Sequence, residues 1–331
     1  MKTKDLFRKL PRNARILLIR LRSLGDCLLL TSPVRALKEE FPDFRISVVA
    51  ESRFAACFDG NPDFAEVISL KKKSSAARLL TRRFKAVINL HGGPTSFAYS
   101  CLAWGNRIGS EQYQYRSLYN GLVPALEPRL HSVDATMSTF RWLGLQRTTE
   151  APPLRYEVHT HEADRMRAAM RDRPYVVIHP GALLTTKRWE ASRFAQVAQA
   201  LQSDGFTIAL TAGPGEESLV VDVARTVPGA SMLLGLTIPE LAELIRGARL
   251  YLGNDSGPMH LASAVGTKIV VPWGSSDAGA WRPWGVPSRV VQNPFECNPC
   301  PGYHCLVADS PLCIESVTPE QVIEAARELL K

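Results

Sequence analysis

Residues 250–272 read LYLGNDSGPMHLASAVGTKIVVP: an apolar run, a polar break, a helical stretch and a second apolar run. Leu250, Tyr251 and Leu252 have the continuous apolar character of a strand covered on both faces, and Gly253 breaks it. Ser256 is placed to cap a helix, and Pro258 fits the first turn, where the N–H it lacks would have no partner. Met259, Leu261, Ala262 and Val265 give this helix an apolar face, and Gly266 suits its C-terminal cap. The helix N-terminus offers unpaired N–H groups and partial positive charge, and Gly257 lets an anion such as a diphosphate come close. Asp255 then reads as an acceptor for a hydroxyl, for instance of a ribose, with His260 one turn further on. The alternative is that Asp255 and Ser256 only cap the helix and His260 lies on the surface.

The same alternation runs through the rest of the chain. Residues 15–21 (RILLIRL) read as a buried strand, followed by Arg22, Ser23, Leu24, Gly25 and Asp26, an apolar stretch, and a helix opened by Ser32 and Pro33. Residues 45–50, 66–70 and 85–90 read as further strands, with segments able to form helices between them. This predicts the α/β class, with parallel sheets covered by helices on both faces. Ligands of such sheets bind beyond the carboxyl ends of the strands, so Ser23, Gly25 and Asp26, and then His91 and Gly92, are the first-half candidates. Asp26 reads either as a helix cap or as a general base for a hydroxyl nucleophile, and the glycines after His91 either as a turn or as an acceptor-side loop. Residues 107–143, with Tyr113, Tyr115, Tyr119, Trp142, Arg129 and His131, are irregular and are read only as an acceptor-facing region.

A polar, proline-bearing stretch at 148–153 predicts a linker, so the expected domains are 1–150 and 151–317, followed by a terminal helix at 318–331. The second half repeats the pattern: a helix at 161–171, then a strand at 175–179 (YVVIH) leading to Thr185, Thr186 and Lys187. Two hydroxyls and a compact cation suit an anionic leaving group; alternatively Lys187 is a surface lysine beside a packing tryptophan. After a strand at 206–211, Glu216 or Glu217 is placed to accept from a ribose or base, and Leu236 stands where an apolar slot for a flat base would be. Four strand exits thus carry ligand-type residues on one edge. In the terminal helix Thr318, Pro319 and Gln321 make a capping signature ahead of the apolar positions Val322, Ala325, Ala326, Leu329 and Leu330.

At 331 residues, 45% hydrophobic and 22% charged, the chain has the composition of a globular protein with room for two cores. It has no apolar run of membrane-spanning length, and its start lacks a signal-peptide core, so a cytoplasmic location is expected. A net charge of +8 favours acidic partners, with basic groups at the N-terminus, at Lys71, Lys72 and Lys73, and at Arg82 and Arg83; each run also reads as a solvated face. No nucleic-acid motif with clustered stacking aromatics is found, and no nucleic acid is expected as a partner. Four of the seven cysteines, Cys297, Cys300, Cys305 and Cys313, have spacing compatible with a structural zinc or an iron–sulfur cluster. The same spacing fits an oxidation-prone loop or a pair of local disulfides.

Three segments, ILLIRLRSLGD at 16–26, HPG with TTKRW within 179–189, and GNDSGPMHLASAVGT at 253–267, together resemble the family 9 glycosyltransferases, the ADP-heptose:lipopolysaccharide heptosyltransferases, over nearly the whole chain. The resemblance implies a GT-B fold of two Rossmann-like domains facing across a cleft, and inverting, metal-independent transfer of heptose from ADP-heptose to a lipopolysaccharide core or related glycolipid. By the same resemblance Asp26 matches the catalytic aspartate, Lys187 the lysine at the donor phosphate, and Asp255, Ser256, Gly257 and His260 the donor loop, with Glu216 the donor-side glutamate. A glycolipid acceptor implies peripheral contact with the cytoplasmic face of the inner membrane. By analogy with GT-B proteins, the terminal helix is expected across the domain junction. A GT-B enzyme using another nucleotide sugar, or a noncatalytic nucleotide-sugar-binding protein, is the alternative.

Overall fold

The computed structural model describes residues 3–70, 72–125, 130–147, 149–171, 173–300 and 303–331. They form two units, Met1–Glu157 and Val158–Lys331. The first contains α1 (Leu6–Lys9), β1 (Arg15–Ile19), α2 (Leu24–Glu40), β2 (Arg45–Glu51), β3 (Glu66–Leu70), α3 (Lys72–Thr81), β4 (Arg83–Asn89), α4 (Gly93–Leu102), β5 (Trp104–Ser110), β6 (Gly121–Val123) and α5 (Ser132–Trp142). The second contains α6 (Thr160–Met170), β7 (Tyr175–His179), α7 (Ala191–Ser203), β8 (Thr207–Thr211), α8 (Glu217–Ala224), β9 (Ser231–Leu233), α9 (Ile238–Gly247), β10 (Leu250–Gly253), α10 (Gly257–Val265), β11 (Ile269–Pro272), α11 (Ala278–Trp281), β12 (Ser288–Val291), α12 (Leu312–Glu315) and α13 (Pro319–Leu330).

Each unit is built on a six-stranded, wholly parallel sheet, in the order β3-β2-β1-β4-β5-β6 and β12-β11-β10-β7-β8-β9. Renumbered within its unit, the second order is the first read from the other edge; both are the doubly wound Rossmann arrangement. The central strands explain the pattern in the sequence. Ile16, Leu17, Leu18 and Ile19 of β1 and Val176, Val177 and Ile178 of β7 are inaccessible to solvent, because helices cover both faces and no polar alternation is required.

The expected start of the first long helix is corrected. Helix α2 begins at Leu24, not at Ser32, and carries Pro33 in its interior. A proline there removes one backbone hydrogen bond, yet the buried side chains of Leu28, Leu29, Val34 and Leu37 anchor the helix on both sides of it. Ser32, read as a cap, is buried and donates to the Pro152 carbonyl, while Thr31 Oγ1 accepts from the Arg155 N–H at 3.0 Å. Those contacts, with buried Ala151, Leu154 and Tyr156, bind the expected linker to the first unit, so the division falls after Glu157 instead of at residue 150. Thr148, part of that linker, lies outside the described residues.

Helix α13 is capped as the sequence suggests: Thr318 N–H donates to Gln321 Oε1 at 2.9 Å, and Gln321 N–H to Thr318 Oγ1 at 3.4 Å. Val322, Ala325, Ala326 and Leu329 join the core of the second unit, and the helix packs on α7, β10, β11 and β12. Among the described residues no helix is long and apolar enough to cross a membrane. Lys71, the side chains of Lys72 and Lys73, and Arg129 lie outside the described residues.

Candidate active site

In each sheet the strand order reverses between two central strands, β1 and β4 in the first unit and β7 and β10 in the second. The connections leaving such a pair diverge to opposite faces and open a crevice at the carboxyl ends. Of the predicted site residues, Ser23, Gly25, Asp26, His91 and Gly92 follow the reversal strands of the first unit, and Thr185, Thr186, Lys187, Asp255, Ser256, Gly257 and His260 those of the second; Glu216 and Leu236 follow β8 and β9.

In the first unit Asp26 stands in the opening turn of α2, behind β1. Its Oδ2 accepts from Ser23 N–H at 3.1 Å and Ser23 Oγ at 3.0 Å, and its Oδ1 lies 3.2 Å from Arg20 Nη1. The cap reading of Asp26 therefore describes one oxygen, and the other is ion-paired. Gly25 is buried within the helical turn, while Ser23 remains exposed. Across the reversal, β4 ends at Asn89, whose Oδ1 accepts from the N–H groups of His91 (3.0 Å) and Gly92 (3.2 Å). Asn89 Nδ2 donates to Ser96 Oγ (3.0 Å) and Tyr119 Oη (2.7 Å), and Tyr113 Oη donates to the Asn89 carbonyl (3.1 Å). Gly92 has φ +74°, and a Cβ there would stand 3.0 Å from the Tyr113 ring, so the glycine is required by both backbone and neighbour. Burial, reinforced by the Arg20 charge, holds His91 below the ordinary histidine range.

The second-unit cluster is denser. Lys187 ends a single 3₁₀ turn, Thr185–Lys187, after β7, and its Nζ donates to Asp255 Oδ2 at 2.7 Å. Ser276 Oγ, beyond β11, donates to the same oxygen. Asp255 is buried, so its first task is to fix the lysine ammonium beside the N-terminus of α10. Ser256 takes the N-cap position in extended conformation but makes no capping bond through its side chain, and Gly257 begins the helix. His260 is 4% exposed, which removes the surface reading. Thr186 is also buried, its Oγ1 accepting from Ser275 Oγ at 3.0 Å, which leaves Thr185 as the exposed hydroxyl of the pair.

Glu216 folds back over the exit of β7. Its Oε2 accepts from Gly213 N–H at 3.1 Å and lies 3.5 Å from His179 Nε2, while His179 Nδ1 is 3.0 Å from Thr211 Oγ1. The His179 contact holds the Glu216 carboxyl below its ordinary value. Gly181 makes room for it: a Cβ would stand 2.0 Å from Glu216 Oε2. Leu236 stands half-buried before Thr237, which caps α9, and among the described residues it is outside this hydrogen-bonded group.

Residues 73–309 match glycosyltransferase family 9 (heptosyltransferase). The chain belongs to this family. It is a glycosyltransferase, and its two parallel sheets are those of the GT-B fold. Lipopolysaccharide heptosyltransferase 3 of Escherichia coli is 27% identical over 292 residues, covering 80% of this chain and 84% of that protein. Among solved structures, a family 9 glycosyl transferase from Veillonella parvula superposes with a TM-score of 0.82 at 21% identity, over 96% of this chain and 97% of the other. The E. coli ADP-heptose lps heptosyltransferase II gives 0.80 at 20% identity, over 96% and 98%.

Three residues of this family 9 enzyme that carry its site geometry were not singled out by sequence reasoning: Arg20, His179 and Asn254. Asn254 is inaccessible, donates to the Pro180 carbonyl at 2.8 Å and accepts from Trp189 N–H at 3.0 Å, so one amide fixes the exits of β7 and β10. All three stand at or immediately after the end of a reversal strand, which is the signal that would have found them.

Of the readings of the cysteine cluster, the local disulfides are corrected, since all seven thiols are free. Among the described residues no group of three or more His, Cys, Asp or Glu side chains is placed to hold a metal ion. Cys313 is buried on α12 while Cys297, Cys300 and Cys305 are half-exposed; burial, with the three neighbouring cysteines adding to it, pushes the Cys313 thiol up.

Proposed function

We propose that this glycosyltransferase moves a heptose from ADP-heptose to a hydroxyl of a lipopolysaccharide core or related glycolipid, with inversion at the anomeric carbon. The bond from the acceptor oxygen to the anomeric carbon forms as the bond from that carbon to the ADP phosphate oxygen breaks, and Asp26 takes the hydroxyl proton. Lys187 and the N–H groups at the start of α10 neutralise the departing diphosphate. Asp255 keeps the lysine in place, and Glu216, Thr185 and Leu236 contact the nucleoside and sugar. His91, Gly92 and Ser23 face the acceptor.

The observation that carries this reading is the Lys187–Asp255 pair at 2.7 Å beside a helix N-terminus at a strand-order reversal. That is a fixed cation next to an anion-binding backbone, the arrangement a nucleoside diphosphate leaving group requires. The names of the relatives supply the sugar and acceptor class. The acceptor is membrane-borne, and a protein of net charge +8 is drawn to an anionic inner-leaflet surface on the cytoplasmic side. The test is turnover of a nucleotide-sugar panel with lipopolysaccharide core acceptors, read by mass spectrometry of the product. ADP release with a mass increase of one heptose is expected with ADP-heptose; transfer from a different nucleotide sugar in preference to it overturns the donor assignment.

A further inference from the structure

The two carboxylate oxygens of Glu216 are in unequal surroundings. Oε2 accepts from Gly213 N–H at 3.1 Å and faces His179 Nε2 at 3.5 Å. Among the described residues Oε1 accepts no hydrogen bond, and it is open to solvent. Glycines make room for this orientation: a Cβ on Gly181 would stand 2.0 Å from Oε2, and one on Gly213 2.8 Å. His179 is the last residue of β7, paired with Gly253 of β10, and is 2% exposed, so it acts on a ligand only through Glu216. The proton positions on its ring follow from its partners. A carboxylate only accepts, so Nε2 carries the hydrogen; the neutral ring then accepts at Nδ1, and the Thr211 hydroxyl, 3.0 Å away, donates to it.

We propose that His179 is a positioning residue for the nucleotide: oriented by Thr211, it holds Oε2 of Glu216 inward and so keeps Oε1 outward to accept an O–H or N–H of the nucleoside. The inference rests on Glu216 as a donor-side residue. A carboxylate free to rotate loses that freedom when it meets a ligand, whereas one fixed beforehand binds without the loss. The relay also explains a threonine and a histidine at the covered ends of β8 and β7, where an apolar pair would pack without polar partners to satisfy.

The first test uses the full-length ¹⁵N-labelled protein without substitution. Long-range ¹H–¹⁵N spectra of the His179 ring should show the Nε2–H tautomer, and Thr211→Val, which deletes the donor to Nδ1, should shift the Nδ1 resonance. An Nδ1–H tautomer, or a ring indifferent to that change, overturns the proposal. ADP affinity by calorimetry then reads the relay. His179→Asn, whose short amide reaches only toward Thr211, should weaken ADP binding about tenfold; His179→Gln, whose amide can reach the Nε2 position, should recover most of that loss. In a Glu216→Gln background His179→Asn should cost nothing further. Equal losses in the two His179 variants, or an undiminished loss in that background, overturn the proposal. Two analogues locate the nucleoside group: the His179→Asn loss should vanish with 2′,3′-dideoxy-ADP if Oε1 meets a ribose hydroxyl, and with inosine diphosphate if it meets the adenine amine. Persistence of the full loss with both overturns it. ADP affinity indifferent to Glu216→Gln counts against Glu216 as a donor residue and against this inference with it, whereas a Glu216→Gln loss uncoupled from His179 counts against this inference alone.

Discussion

Asp26 and Lys187 are each held by polar contacts on the protein itself, and replacement therefore has two separable effects. Asp26→Asn keeps an oxygen able to serve the Ser23 cap but removes the proton acceptor. Transfer should fall by about 10²–10⁴-fold with ADP affinity nearly unchanged, as seen by product mass spectrometry beside calorimetry. Lys187→Ala leaves Ser276 Oγ donating to the buried Asp255 carboxylate without the ammonium beside it. It should weaken ADP binding by tenfold or more and lower stability by about 1.5–3 kcal/mol, read from urea midpoints. His91 gives a pH signature. Its folded-state pKa lies below the ordinary 6.5, so the unfolded chain takes up a proton first, and wild-type stability declines as pH falls through 6.5 toward the folded value. His91→Gln should remove that decline in denaturant midpoints measured between about pH 5 and 8. Asp26, Lys187 and Asp255 were legible because charged residues after strand ends stand out against apolar runs. Asn254 was not, because its meaning lies in Pro180 and Trp189, far away along the chain.

Among the elements, the buried strands were the most legible, since Ile16–Ile19 and the YVVIH run are apolar for the full depth of a covered sheet. Helix α2 was misread for a local reason: Ser32 and Pro33 look like a helix start, and Gly25 looks like a loop, whereas Ser23 and Asp26 had already closed the first turn. Close approach of elements was invisible as well. A Cβ on Gly274 would stand 2.3 Å from the Thr186 carbonyl oxygen and 3.1 Å from Ile314 Cβ, so this glycine lets the exit of β11 nest between the Thr185–Lys187 turn and α12. Gly274→Ala must push on that turn, and should reduce ADP affinity severalfold, as read by calorimetry. At α13, Thr318→Ala removes half of a capping box and should cost about 1 kcal/mol in thermal or urea unfolding.

At the scale of the whole molecule, charge and duplication dominate. A net charge of +8 should drive association with vesicles containing anionic lipid, and sedimentation with them should fall steeply once salt shortens the screening length to about 8 Å at 0.15 M. Vesicles of neutral lipid should retain little protein. The duplication has a further consequence. The two units share one strand order, each is organised around its own reversal, and each has its own buried apolar cluster. On the proposed function, recognition of the nucleotide and recognition of the glycolipid would then be inherited as separate blocks of chain. A chimera that joins Val158–Lys331 to the first half of a relative should keep its taste in nucleotide sugars and acquire a new one in acceptors, which makes recombination at Glu157 a short route to enzymes that decorate other glycolipids.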